Sequence, residues 1–369
     1  MTPTQRKKLV VAHSTREGAP LHEIETNRAL ARWLAQILGL KFGGSYDPAL
    51  HTGRSLYLLP TQTLVGAAQV RALNIKGPED VWGGYVDHDF ICTKAISHGL
   101  LGPEAKAPEG WSALFCERVR NVVLDGLSVF ALEDARPAAT RLLYSGPIRL
   151  KPVQACAGRG QEVIHSLDEF EAVLARPEAA KLFSDGVVLE QDLQDVITHS
   201  VGQSFIGDHV FSYCGEQSLT KDGQGEDVYG GSDLLAVPGG YETLLQLELP
   251  DDVREAIEQA QVFDAAADEA YPGFYASRRN YDIAQGLDSD GQRRSGVLEQ
   301  SWRMGGASSA EVAALQSFIN NPGLRAIRVS SVETYADQPL PADAIEVYRG
   351  PAQNSAFLLK YVTVKSYDG

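Results

Sequence analysis

The chain reads as a mixed α/β (α+β) protein that opens with a small, open α/β domain. Three observations predict this. KKLVVAH (7–13), ETNRALARWLAQILGL and SLYLLP (55–60) follow one another as strand, helix and strand, the pattern of an open sheet with helices on it. The middle of the chain carries two alternating strands, THSVGQSFI and HVFSYCG, turned at Gly207-Asp208. Finally, 369 residues suffice for two or three subdomains with ample core.

Taken in order, Ala29, Leu30, Trp33, Leu34 and Ile37 repeat at helical spacing on the first helix. AAQVRALN is a second helical stretch. Ligands of open α/β sheets bind beyond the carboxyl ends of strands, which singles out His13, Ser14, Thr15, Arg16 and Glu17. Arg16 is either a contact to a substrate carboxylate or part of an ordinary charged loop. Residues 76–94, KGPEDVWGGYVDHDFICTK, read as a linker, with Trp82, Tyr85, His88 and Asp89 in a structural crossover.

GPIRLKPVQACAGRGQEVI (146–164) then reads as strand, glycine loop, strand. Lys151 ends the first strand and Gly158-Arg159-Gly160 form the loop. Glycines let backbone N–H groups turn toward an anion, and a nearby lysine adds a point charge. Neither familiar phosphate motif is present: no GK[ST] follows a glycine run, and no G-x-G-x-x-G opens a helix. The next helix starts at Ser166-Leu167-Asp168-Glu169, a capping-box pattern. VVLEQDL (187–193) is a buried strand running out into an acidic stretch. Residues 221–233, KDGQGEDVYGGSD, lack hydrophobic periodicity and read as a lid over substrate or a long exposed turn.

The most informative stretch is 278–309, RRNYDIAQGLDSDGQRRSGVLEQSWRMGGASS. It places Asp282 on one strand and Glu299 on the next, with Ser301 on the face of Glu299 because strand side chains alternate. Two carboxylates and a neutral oxygen, with Arg303 just beyond, suit Mg²⁺ completed by substrate phosphates. A helix across SAEVAALQSFIN and strands near LRAIRVSSVETY, AIEVYRG and AFLLKYVTVKSY close the chain.

In this order, over about residues 90–320, the elements resemble the ATP-grasp superfamily of carboxylate–amine ligases. LEQSWRMGGASS is similar to the E-x-N-x-R-x-G-G closing motif of those enzymes, and STREGAPLHEIETNRALARWLA to an uncharacterised bacterial branch of ATP-grasp-like proteins. The resemblance implies an ATP-grasp fold behind an N-terminal pre-ATP-grasp domain (1–92), with an ATP-grasp subdomain carrying the phosphate loop (93–187) and another carrying the metal site (188–369). It implies ATP and Mg²⁺ as cofactors. Lys151 and, with a looser match, Lys94 would contact phosphates under the loop Gly158, Arg159 and Gly160. Glu190, Gln191 and Leu193 would form the adenine hinge, with Asp192 or Asp195 at the ribose and Lys221 as a further phosphate contact. Asp282 and Glu299 would hold metal, with Ser301 where asparagine is usual, and Arg303 would steady the reacting acyl phosphate. The hydroxyl at 301 is the one departure, and it raises an altered or degenerate metal site as an alternative.

Composition agrees with an enzyme of small molecules. A net charge of −15 argues against nucleic acid as the main partner. Cys92, Cys116, Cys156 and Cys214 lack C-x-x-C spacing, so neither zinc nor a disulfide framework is expected. The apolar run after the basic N-terminus is too short for a signal peptide, and none reaches membrane-spanning length. The expectation is a cytoplasmic protein without membrane partners, homodimeric by base rate, acting on a carboxylate and an amine. A kinase that phosphorylates a hydroxyl and a non-catalytic nucleotide-binding protein remain the alternatives.

Overall fold

The computed structural model describes residues 8–16, 18–155, 160–352 and 355–367. The chain opens with β1 (Leu9–His13), α1 (Leu21–Leu38), β2 (Lys41–Ser45), a short α2 (Pro48–His51) and β3 (Leu56–Pro60). β2 and β3 both pair with β1 in parallel, giving the order β2-β1-β3. Such pairing needs crossovers, and α1 provides the first. Its buried stripe is Asn27, Leu30, Ala31, Leu34 and Ala35, rotated from the face expected from the larger apolar residues. Ala31 and Ala35 admit the sheet closely, while Trp33 and Ile37 lie at the flank and pack on other elements. The helix ends at Gly39, whose φ of 63° and N–H bonds to the Ala35 and Gln36 carbonyls make a left-handed C-terminal cap.

β4 (Leu64–Val65), α3 (Gly66–Ala72) and β5 (Gly84–Val86) follow. Trp82 is fully buried and Tyr85 nearly so, as a structural crossover requires. β5 pairs with a later two-residue strand and so ties this region to the rest of the chain.

The next unit comprises α4 (Ala113–Val119), β6 (Gly126–Val129), α5 (Leu132–Leu143), β7 (Ile148–Pro152), β8 (Glu162–Ile164), α6 (Leu167–Leu174), α7 (Ala179–Asp185) and β9 (Val187–Gln191). Its antiparallel sheet runs β6-β9-β7-β8. Val187 to Gln191 therefore belong to this sheet, and the chain leaves it after residue 191. The capping box at α6 forms: the Glu169 N–H donates to Ser166 Oγ (3.2 Å), and the His165 N–H donates to Glu169 Oε2 (2.8 Å). Leu127, Val129, Leu150, Phe170, Phe183 and Leu189 form its core.

The remainder builds an eight-stranded sheet. β10 (Gln194–Ile206), β11 (His209–Lys221) and β12 (Asp227–Pro238) form a meander. α8 (Tyr241–Leu244), α9 (Asp251–Ala270), the two-residue β13 (Tyr275–Ala276), β14 (Arg278–Leu287), β15 (Arg293–Ser301), α10 (Ser308–Asn320), β16 (Ile327–Thr334), β17 (Ile345–Ala352) and β18 (Ser355–Ser366) follow. The order is β15-β14-β10-β11-β12-β16-β18-β17. Alternation divides each strand between two cores. Val201, Cys214, Tyr281, Ile283 and Val297 meet Ile257, Ala260 and Phe263 of α9, whereas Phe211, Tyr213, Leu234 and Ala236 meet α10 and, beyond it, Leu30 and Leu34 of α1. Most acidic residues of α9 face outward, but Asp264 turns inward to pair with Arg279 at 2.9 Å. Phe263 is wholly buried, and Phe263→Ala is expected to cost about 3–5 kcal/mol, measurable by denaturant unfolding. Residues 221–233 are a hairpin turn followed by β12, with Lys221 paired to Asp227 at 2.8 Å. The segment is sheet in this structure, because the strand pairing continues out to Lys221 and Asp227.

Candidate nucleotide and metal site

β14 and β15 pair antiparallel with Asp282 opposite Glu299 and Asn280 opposite Ser301. The register shifts between Asp282 and Ile283, where Ile283 meets Val297, so Leu298 is the extra residue of a bulge. The bulge lets two consecutive side chains serve the same region. Leu298 packs with Leu193, Leu124 and Ala284, while Glu299 stands beside Asp282. Gln217, two strands away on β11, donates Nε2 to Asp282 Oδ1 at 2.8 Å.

Burial first, then the like charge of Glu299, push the Asp282 carboxyl up to about 7, against the pull of Arg303, Arg278 and the Gln217 amide. Ser301 Oγ is buried and has no hydrogen-bond partner. A buried hydroxyl without a partner is costly, and two adjacent carboxylates repel. A divalent cation would relieve both, so these residues fit Mg²⁺. No group of three or more His, Cys, Asp or Glu side chains poised to hold a metal occurs among the described residues. The raised Asp282 has a consequence for pH. Metal must displace its proton, so Mg²⁺ affinity is expected to climb between about pH 6 and pH 8, and calorimetric titration at several pH values checks this. The carboxyl lies above its ordinary unfolded value, so the metal-free protein is expected to be less stable above pH 7 than below it.

Lys94 is buried and lies between Glu299 of β15 and Ala155, which follows β7. Its ammonium is 3.3 Å from Glu299 Oε2 and donates to the Ala155 carbonyl at 2.6 Å. Lys151 is buried as well. It pairs with Glu190, whose other oxygen lies 2.8 Å from His98 Nε2. Burial alone would raise the Glu190 carboxyl, but Lys151 and His98 outweigh it and hold it near 2. The Glu190 side chain thus anchors Lys151. Lys151→Ala would strand that charge in the interior and is expected to destabilise the fold by about 3–5 kcal/mol, a loss that the double variant Lys151→Met, Glu190→Gln should largely recover in thermal unfolding. Gly160 takes a left-handed φ of 68°, while Gly158 and Arg159 lie outside the described residues, as does Glu17.

At the end of β9, the Gln191 N–H donates to the Asp125 carbonyl at 2.8 Å and the Asp192 N–H to the Pro147 carbonyl at 3.0 Å. Asp192 Oδ1 accepts from Arg149 Nη2 at 2.6 Å, so its carboxylate is engaged within the protein. Asp195 has a positive φ of 52°, and its carboxylate is exposed. Leu193 is buried beside Leu298. Lys221, paired with Asp227, is 64% exposed on the far hairpin, and nothing places it with the other lysines.

The Ser301–Arg303 corner is held from beneath. Arg278 is fully buried and donates to the carbonyls of Ser301 (3.1 Å) and Arg303, while its Nη2 is 2.6 Å from Glu311 Oε1 on α10. Arg303 donates Nη1 to the Met304 carbonyl at 2.7 Å. Glu311 also accepts from Ser204 (2.8 Å) and Tyr213 (3.1 Å). Gln217, Asn280, Arg278, Glu311, His98 and Leu298 escaped the sequence reading. Leu298, Asn280 and Arg278 lie within the same strand pair as Asp282 and Glu299 and carry a local signal; Gln217, His98 and Glu311 come from distant parts of the chain.

A family whose description reads "Protein of unknown function (DUF3182)" matches residues 10–362. The chain belongs to this family. No curated protein matches it. Among solved structures it is similar to phosphoribosylamine–glycine ligase from Thermotoga maritima, at 15% identity, over 97% of this chain and 93% of that one, with a TM-score of 0.46. It is also similar to the D-cycloserine synthetase DcsG (11% identity, 84% and 99% coverage, TM-score 0.46). A third is the ATP-grasp ligase PsnB complexed with a minimal precursor (13% identity, 85% and 97% coverage, TM-score 0.42). No helix among the described residues is long and apolar enough to cross a membrane. A cleft of about 780 Å³ opens behind the hinge, lined by Gln191, His98, Arg120, Arg141, Arg293 and Arg294 among others. It includes neither Asp282 nor Glu299, so size alone does not mark the chemistry.

Proposed function

We propose that this chain is an ATP-grasp enzyme, an ATP- and Mg²⁺-dependent ligase that activates a carboxylate as an acyl phosphate for attack by an amine. The observation that carries the reading is Lys94, whose buried ammonium lies 3.3 Å from the Glu299 carboxylate and donates to the Ala155 carbonyl, with the unpartnered Ser301 hydroxyl two residues along the strand from Glu299. That juxtaposition supplies phosphate-binding charge and metal-binding oxygens in one place.

In the reaction, an oxygen of the substrate carboxylate attacks the γ-phosphorus, the bond to the β-phosphate oxygen breaks, and ADP leaves. The amine then attacks the acyl carbon, the C–O bond to phosphate breaks, and the nitrogen sheds its proton. Phosphoryl transfer needs positioning and charge neutralisation more than covalent help. Lys94 and Lys151 would hold phosphate oxygens, Glu190, Gln191 and Leu193 would border the adenine, and Asp282, Glu299 and Ser301 would hold Mg²⁺. The metal, when bound, neutralises charge on the transferring group. Arg303 would stabilise the oxyanion formed as the amine adds. A small amino acid or peptide is the proposed substrate, and the proposed setting is the cytoplasm, as a homodimer without nucleic-acid partners.

One observation favours a second reading. Ser301 supplies a smaller neutral oxygen than an amide, which supports a weakened site that binds nucleotide without turnover. A thermal-shift titration with ATP and ADP, with and without Mg²⁺, tests the nucleotide site, because a ligand of the folded state must raise the melting temperature. A Mg²⁺-dependent rise is expected, and no response at millimolar ATP would overturn it. ADP release that requires an amine as well as a carboxylate then separates ligase from kinase and from the inactive reading.

A further inference from the structure

The carboxyl end of β1 and the first turns of α1 collect polar atoms that nothing in the protein satisfies. Ser14 Oγ, His22 Nδ1, Thr26 Oγ1 and Asn27 Oδ1 are all buried without a hydrogen-bond partner. His22 and Thr26 are four residues apart and share one helix face. Asn27 is 1% exposed, and its Nδ2 donates to the Leu59 carbonyl at 3.0 Å, which fixes the amide so that its oxygen remains the acceptor without a partner. Pro20 precedes the helix and no side chain caps it, so the positive end of an 18-residue helix faces the same region.

Two cations reach this corner, each paired with a carboxylate. Arg16 pairs with Glu23 at 2.7 Å and Lys360 of β18 with Glu333 at 2.8 Å. Even so, after burial, it is Lys360 and Arg16 that hold the His22 ring down near 4. The Tyr348 ring of β17 lies 6.2 Å from His22 and closes that side. The region also adjoins the metal site. Asn27 Nδ2 is 3.4 Å from Met304 Sδ, the residue after Arg303. Tyr229, bonded to Ser331 and packed on Gly306, feels the charges of both Glu333 and Asp282.

We propose that the β1–α1 corner binds a second anionic group, a carboxylate or phosphate, on the substrate whose other carboxylate is activated beside Arg303. Arg16, Lys360 and the start of α1 receive the anion, Ser14 and Thr26 donate to it, and Asn27 Oδ1 accepts from a neighbouring N–H or O–H of the same molecule. The substrate is accordingly a small dianion bearing a donor, such as an amino dicarboxylate or its phosphorylated counterpart. That this group is a second anion of the activated substrate rests on the ligase reading; the anion site stands on its own geometry.

The test is an NMR titration of the histidine ring signals, with His22 identified through His22→Gln, using succinate, inorganic phosphate and uncharged succinamide as probes. Succinate or phosphate should move the His22 signals and succinamide should not, and the tighter of the two anions names the source. In the double variant Arg16→Ala, Lys360→Met the apparent affinity should fall by about tenfold or more. His22 signals unmoved by either anion, or an affinity unchanged in the variant, would overturn the proposal. A Mg²⁺-ATP melting titration on the same wild-type sample reads the nucleotide site separately. A responsive His22 with a silent nucleotide site would remove the ligase reading and leave the anion site standing, and the reverse result would do the opposite.

Discussion

Glu299→Gln is expected to reduce Mg²⁺-dependent ADP release by roughly 10²–10³-fold or more, the loss typical when one electrostatic element of a preorganised site is removed. The substitution keeps the shape of the side chain and deletes its charge. Glu299 is 37% exposed and its ion pair to Lys94 is long at 3.3 Å, so the fold should tolerate the change. Its negative charge is the main neighbour raising Asp282, so the variant should also shift the pH dependence of the remaining metal affinity downward. Paired measurements of melting temperature and ADP release separate a lost site from a lost fold. Full Mg²⁺-ATP stabilisation in the variant would show that the metal lies elsewhere.

Arg278→Ala is expected to destabilise the protein by about 3–5 kcal/mol, the cost of leaving one partner of a buried ion pair uncompensated. Glu311 is 1% exposed and would keep only neutral donors, Ser204 and Tyr213. The carbonyls of Ser301 and Arg303 would lose their donor at the same time, loosening the segment that carries one proposed metal ligand and the oxyanion arginine. Arg278→Met combined with Glu311→Leu should recover most of the stability, since apolar replacements of buried pairs are often neutral, but not the positioning of Arg303. Denaturant unfolding reads the first effect and ADP release the second. A single variant as stable as wild type would contradict the burial of this pair.

The parts of the site that were legible in the sequence share one property: their geometry is set by local periodicity. Asp282, Glu299 and Ser301 face one another because two adjacent strands alternate with period two around a short turn, and that pattern lies entirely within residues 278–301. The capping box at Ser166 and Glu169 formed for the same local reason. Where side chains interact over long sequence separations, the reading lost its hold. Lys151 is anchored to Glu190, whose other oxygen meets His98, a partnership between residues far apart in the chain. Asp192 looked available for a ribose, yet Arg149 holds it. Lys221 looked like part of a mobile segment, yet it closes a regular hairpin against Asp227.

The sequence by itself determined the opening strand–helix–strand, the paired strands near Gly207, the strand pair at 278–301, the α/β class and the chemical types gathered near the site, because these follow from hydrophobic periodicity and turn residues within short windows. The tertiary structure alone decided which charges are free. Gln217 reaches Asp282 across an intervening strand, Arg278 meets Glu311 on a helix thirty-three residues on, and the polar atoms at the start of α1 come to lie beside Lys360 from the end of the chain. Pairing between residues so far apart depends on how sheets and helices pack, and burial then sets the electrostatic strength of each pair, so no local pattern in the chain could disclose it.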